Sequence, residues 1–198
     1  MIRFFRGTGF GPIVLLVLIA GALWAEFFIA PPPVFEVTGE NVMPLWAMLR
    51  GVLSGMPFLA VTVSFVFVLL LVFLMVRFNT SVFFIPRRTY IPGLVYLVLF
   101  SIFPGQMILN PALPSALLIM AGLWRMIAAY RRNGVAYNFF DAAMIISLAG
   151  LIYADALWFI ILVFVGALIL RTPDMREILA AFFGAVLPWA LYFAVWFL

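Results

Sequence analysis

The chain contains no cysteine, no histidine and no lysine, and charged side chains make up only 9% of its 198 residues. Each absence removes a chemistry. Without Cys there is no thiolate nucleophile, CxxC redox pair, iron–sulfur cluster or disulfide. Without His there is no Ser-His-Asp relay, haem imidazole or ordinary zinc site. Without Lys there is no Schiff base and no P-loop lysine. What remains is seven carboxylates, eleven arginines, six tyrosines and the Ser/Thr hydroxyls. That set allows carboxylate acid/base work, anion binding by Arg or hard-cation binding by oxygen. The expectation is a chain with neither a cofactor nor a metal centre, and leaning away from enzyme.

What the chain does have is hydrocarbon: 68% of it is hydrophobic and 18% aromatic. Soluble domains carry about 45–50% apolar and about 25% charged residues, and disordered chains are poor in aromatics. The composition therefore predicts an all-α polytopic transmembrane bundle, residues 1–198 forming a single integral membrane domain. The net charge of +4 would suggest nucleic acid in a soluble protein. Here it reads as orientation in a bilayer, and no nucleic-acid partner is expected.

A span needs about 20 apolar residues. Seven segments are predicted, at about 10–30, 56–76, 89–109, 112–130, 135–153, 156–171 and 178–198. Pro31-Pro32-Pro33 cannot continue the first helix and opens an external loop over 31–50. Within it, Leu45–Leu53 carries Trp46 and Arg50, as an interfacial stretch does. Pro104-Gly105 interrupts the third segment, and Asn110-Pro111 with Pro114 marks a turn. With the N-terminus cytoplasmic, every arginine but Arg50 falls on the inner side. Ten arginines against three carboxylates leave the inner side at +7, and Arg50 against four carboxylates leaves the outer side at −3. That is the positive-inside pattern, and it places the chain in a cytoplasmic membrane.

The middle hairpins are short. Ala156–Leu170 as an α-helix reaches about 22 Å, less than a core of about 30 Å. A spanning hairpin, tilted or in a thinned bilayer, and a re-entrant one carry the same charge bias; the spanning form is expected. Arg88–Arg131 and Arg132–Arg171 also share a layout, arm, central Ser (Ser101, Ser147), break and return. That layout suits a duplicated hairpin, and equally two ordinary neighbouring hairpins.

Ionisable residues inside a membrane are functional candidates by default. Arg125 lies five residues before Tyr130, within snorkelling reach of the headgroups, and Asp141 stands near the inner end of the next segment. A structural pairing of Asp141 with Arg125, Arg131 or Arg132 is expected. Asp155 reads as a turn residue or N-cap, or as a proton or ion site if its hairpin is re-entrant. Glu36 and Glu40 supply the outer-loop carboxylates that a transferase base requires, in a loop short enough to be simply solvated. Arg87-Arg88 and Arg131-Arg132 have the chemistry to contact lipid phosphates. The expected partners are membrane lipids, including anionic headgroups on the cytoplasmic side, and other membrane-protein subunits.

Several local patterns occur in order: Asn79, Thr89-Tyr90, Asn110, Leu123-Trp124-Arg125-Met126 and Phe140-Asp141-Ala142. Gly150-Leu151-Ile152-Tyr153, Arg171 and Arg176-Glu177 ahead of Pro188 complete the series. Over Asn79–Pro188 the chain thereby resembles an uncharacterised family of bacterial multi-pass inner-membrane proteins. The resemblance implies a helical membrane fold in a bacterial inner membrane and raises the interest of Arg125 and Asp141. It implies no activity. Members carry further hydrophobic segments, so it also implies a short member or a chain truncated at Leu198.

Three functional readings follow. The leading one is a non-enzymatic structural or accessory subunit of a membrane assembly. A second is a polyprenyl-phosphate-dependent glycosyl or lipid transferase with Glu36 or Glu40 as base. A third is a small transporter or ion-conducting subunit using Asp155.

Overall fold

The computed structural model describes residues 10–31, 43–82, 89–129, 136–169 and 175–198. Among them the regular structure is helical, with no strand. The elements are α1 (Phe10–Ile29), α2 (Pro44–Leu53), α3 (Pro57–Val82), α4 (Ile91–Ser101) and the single turn α5 (Pro104–Met107). They continue with α6 (Ala112–Ile127), α7 (Ala136–Gly150), a 3-10 helix (Ala154–Phe159), α8 (Ile160–Ile169) and α9 (Met175–Trp196). Three helices are long and apolar enough to cross a membrane, at Gly11–Ile29, Pro57–Asn79 and Met175–Trp196.

Local sequence explains the boundaries. α1 runs through a stretch that is apolar but for Glu26 and stops before Pro31, where the missing N–H and the ring forbid continuation. α3 starts on Pro57, a residue suited to the first helical turn. It passes the expected stop at Arg77 and continues to Val82, because a charge marks a membrane boundary but does not break a helix. The third segment breaks where Pro104-Gly105 foretold. α4 is only 11 residues, about 16 Å. The Thr89 hydroxyl accepts the Ile91 N–H at 3.2 Å at its start. Ser101 donates to Leu97 O at 2.8 Å at its end.

The sixth segment differs from its expected form. Its first six residues wind as a 3-10 helix, which rises about 2.0 Å per residue against about 1.5 Å for α. Ala154–Ile169 therefore reaches about 27 Å, close to a full core, where an α-helix of the expected length falls short. The last helix starts at Met175, earlier than expected, and takes Arg176 and Glu177 into its first turn.

The chain divides into two compact units. The first holds α1, α3, α4 and α5 and runs through Leu113. α4 and α5 lie antiparallel along α3. Gly93 faces Val72 and Val76, and farther along the Ser64 hydroxyl donates to Met107 O at 2.7 Å. The unit's core is aromatic. Trp24 is fully buried, stacked on Phe100 at 6.1 Å and tilted against Phe65 at 5.7 Å. Phe28 closes the cluster against Phe58 and Phe65.

The second unit, Pro114–Leu198 with residues 43–47, is built on small residues. Its core joins Met126, Phe139, Ile146 and Val163 with Ala142, Ala143, Ala167 and Ala181. The Leu45 N–H donates to Leu151 O at 3.1 Å, tying the start of α2 to the turn after α7. α6 and α7 are antiparallel in one register: Ser115 meets Ala149, Gly122 meets Ala142 and Ile146, and Arg125 meets Asp141. α7 and α9 pack most extensively. Phe140 O abuts Gly184, and the Ser147 hydroxyl donates to Ala185 O at 2.6 Å. Carbonyls point toward a helix's C-terminus and side chains lean toward its N-terminus, so this pair of contacts requires α7 and α9 to be parallel.

Candidate functional site

The antiparallel α6–α7 register carries the last turn of α6 to the first turns of α7. Parallel packing brings the start of α9 to that same end of the unit. The described polar residues there include Arg125, Tyr137, Asn138, Asp141, Arg176 and Glu177.

Arg125 Nη2 donates to Asp141 Oδ2, and the side chains are 45% and 30% exposed. The guanidinium also sits over the Tyr137 ring, 6.0 Å from its centroid. Exposed ion pairs in water contribute about 0.2–1 kcal/mol, so this pair fixes which turns of α6 and α7 meet more than it stabilises them. Asn138 and Glu177 are each 2% exposed. The Asn138 Oδ1 accepts no hydrogen bond from the described residues. Glu177 belongs to the buried stripe of α9, which continues through Ala181, Gly184 and Pro188 at spacings of four, three and four. A carboxylate on this stripe faces the neighbouring helices.

The remaining candidates are dispersed. Asp155 opens the 3-10 helix and is exposed, and it shares a hydrogen bond with the Tyr153 side chain in the turn beyond α7. That bond, with some burial and the nearby negative charge, pushes the Tyr153 phenol above its ordinary value of 10.0. Glu36, Glu40, Arg87, Arg88, Arg131 and Arg132 lie outside the described residues. No group of three or more acidic, His or Cys side chains placed to hold a metal occurs among the described residues.

Four residues the fold singles out are not among the candidate site residues read from the sequence, Asn79 and Glu177 entering there only through the resemblance. Glu177 and Asn138 were legible in principle, since Glu177 shares a helical face with Gly184 and Pro188. Asn79 is 6% exposed with a buried Nδ2 that finds no partner among the described residues, and the same holds for the Trp24 indole N–H. Their burial depends on which helices meet, and no local signal reports that.

The arrangement brings together one ion pair, an aromatic lid over it and two buried side chains capable of hydrogen bonding. It can order three helix ends and hold charge at one face of a bundle. No family model matches the chain, and no curated protein or solved structure matches it either.

Proposed function

We propose that the protein is a multi-pass inner-membrane subunit, with about seven segments and its N-terminus inside, that acts structurally within a larger membrane assembly. α9 carries this reading. It buries one narrow stripe, Glu177, Ala181, Gly184 and Pro188, and leaves Leu179, Phe182, Phe183, Val186 and Leu191 exposed along its length. A 22-residue helix with so much free apolar surface needs lipid or another helix around it. Several polar side chains hold one helix to another: Arg125 with Asp141, Ser115 with Ala149 and Ser147 with Ala185.

The 27 Å reach of Ala154–Ile169 supports a spanning sixth segment, and exposed Asp155 bonded with Tyr153 favours the turn role over a buried ion site. Two measurements test the reading. Native-abundance extraction in mild detergent, followed by mass measurement of the intact particle, should give a defined species heavier than the chain alone. A stable lone monomer with activity of its own would overturn it. The topology is tested separately on a chain with no native Cys. Single cysteines at 108–112 and 154–156 should label from the outside, and labelling only from the inside would replace the spanning hairpins with re-entrant ones.

A further inference from the structure

Past Pro188, α9 changes character. The stripe Glu177, Ala181, Gly184 and Pro188 seats the first part of the helix, whereas none of residues 189–198 is buried. Trp189, Tyr192, Phe193 and Trp196 fall at i, i+3, i+4 and i+7, one helical face. Their rings meet in a row, Trp189 with Phe193 at 6.3 Å, Phe193 with Tyr192 at 5.5 Å and Tyr192 with Trp196 at 6.2 Å. Before Pro188 the rings of α9 are Phe182 and Phe183, which carry no polar atom; every indole and phenol of the helix lies beyond it. The same end of the second unit holds another indole. Ser147 meets Ala185, so the turn after α7 lies level with the last turns of α9. That turn carries exposed Asp155, and Trp158, 72% exposed, stands three residues on. An exposed carboxylate is costly in hydrocarbon, so Asp155 marks water at this level. At the opposite end Arg125 and Asp141 pair at the surface and Arg176 is exposed. From Arg176, α9 rises about 24 Å to Tyr192 and about 30 Å to Trp196, the thickness of a hydrocarbon core of about 30 Å.

We infer that Trp158, Trp189, Tyr192 and Trp196 form an interfacial belt that binds the glycerol-ester layer of a phospholipid bilayer and fixes the depth of α9. Each ring has an apolar body suited to the upper acyl chains and one N–H or O–H that an ester carbonyl oxygen accepts. The mid-span rings Phe182 and Phe183 lack that donor and suit the hydrocarbon alone. Ester carbonyls are common to all glycerophospholipids, so the belt does not select headgroup charge. It rests on the bilayer location proposed above and needs no protein partner, so it can fail while the assembly reading stands, and the reverse.

The test is electron paramagnetic resonance on the full chain in phosphatidylcholine nanodiscs, with one nitroxide on Ala194→Cys or on Val186→Cys. Both residues are exposed, Ala194 among the rings and Val186 near mid-span. Relative access of oxygen and a water-soluble nickel chelate gives depth, calibrated with lipids spin-labelled along their chains. The oxygen-to-nickel ratio should be several-fold higher at Val186 than at Ala194, and Ala194 should read at the ester layer. That depth should hold between dimyristoyl- and dioleoyl-phosphatidylcholine and on admixing phosphatidylglycerol. The triple variant Trp189→Phe, Tyr192→Phe and Trp196→Phe keeps the rings and removes their donors, so the Ala194 ratio should then change several-fold with chain length. An unchanged thermal unfolding curve shows that variant to be folded; if it is not, the readings on the native rings decide alone. A label at Ala194 lying among acyl chains or in water, or a folded triple variant that holds its depth, would overturn the belt. A label closed to both reagents and broadened by a second nitroxide would mean that another copy covers the stripe, and would overturn it too. Free nickel access at Val186 would instead remove the bilayer reading itself, and the belt with it.

Discussion

The two units solve one problem in opposite ways. Both must join helices, and in both the quality of contact between helices distinguishes how that is done. The first unit uses large rings. Trp24, Phe28, Phe58, Phe65 and Phe100 interlock, and α1 keeps Gly21 in open space. The second uses close backbone approach. Gly184 lets α9 touch the Phe140 carbonyl, Gly122 lets α6 approach Ala142 O, and hydroxyls of Ser115 and Ser147 donate to carbonyls of neighbouring helices. Aromatic packing tolerates an orphaned polar atom, and the Trp24 N–H is one. Backbone-close packing leaves little room for error but fixes register through hydrogen bonds.

That contrast breaks most sharply at its two central residues. Trp24→Ala should lower stability by about 3–5 kcal/mol, the usual effect of emptying a site occupied by a large ring. Trp24→Phe should cost far less, because the indole N–H it removes has no partner to lose. Thermal unfolding in detergent, followed by circular dichroism, reads both. If the two variants proved equally damaging, the indole N–H would be bonded after all and the two units would be less different than the rings suggest.

Next comes the glycine comparison. A side chain at Gly184 collides with backbone, which cannot rotate away, whereas a Cβ at Gly21 meets nothing within 4 Å. Gly184→Leu should destabilise by about 3 kcal/mol or more, at the upper end for overpacking, and Gly21→Leu by under about 0.5 kcal/mol. The same unfolding measurement decides it. Comparable effects at both sites would mean that close approach is not what distinguishes the second unit.

Much of this was readable beforehand, and what was not has a physical reason. The long helices follow from long apolar runs with few charges, and the break at Pro104-Gly105 follows from the missing Pro N–H. α3 runs past Arg77 to Val82, because a single charge does not break a helix. The 3-10 winding of Ala154–Phe159 had no signature in the sequence. The α7–α9 pairing joins non-consecutive helices across α8, which no local period reports. For the same reason Glu177 looked like an ordinary boundary acid until its stripe met α7.

The ion pair offers a smaller effect. A double-mutant cycle of Arg125→Gln and Asp141→Asn should return a coupling of about 0.2–1 kcal/mol, as befits side chains 45% and 30% exposed. Ser147→Ala should cost about 0.6 kcal/mol, the mean for side-chain hydrogen bonds between membrane helices. A coupling of several kcal/mol would instead mark Arg125–Asp141 as dehydrated in the bilayer, and would make the polar end of the second unit its principal clamp.

The smallest effect separates the second unit's turn from its helices. The Tyr153 phenol is held above 10.0, first by its hydrogen bond with Asp155, then by burial, then by the negative charge. A group whose pKa is raised by folding adds stability that is complete below its unfolded pKa, and that is lost as pH rises through the folded value. The turn should therefore loosen only above about pH 10, the ordinary tyrosine value. Asp155→Asn removes the charge and weakens the bond, so Tyr153 should ionise at lower pH, visible as an earlier phenolate absorbance in alkaline titration against Tyr153→Phe. Since Tyr153 is more than a third exposed, the shift should change the titration far more than the midpoint of unfolding. If Asp155→Asn left the phenolate curve where it was, the carboxylate would not be the phenol's partner. The turn would then be held by backbone bonds alone, such as Tyr153 N–H to Ala149 O at 2.9 Å and Ala156 N–H to Tyr153 O at 3.0 Å.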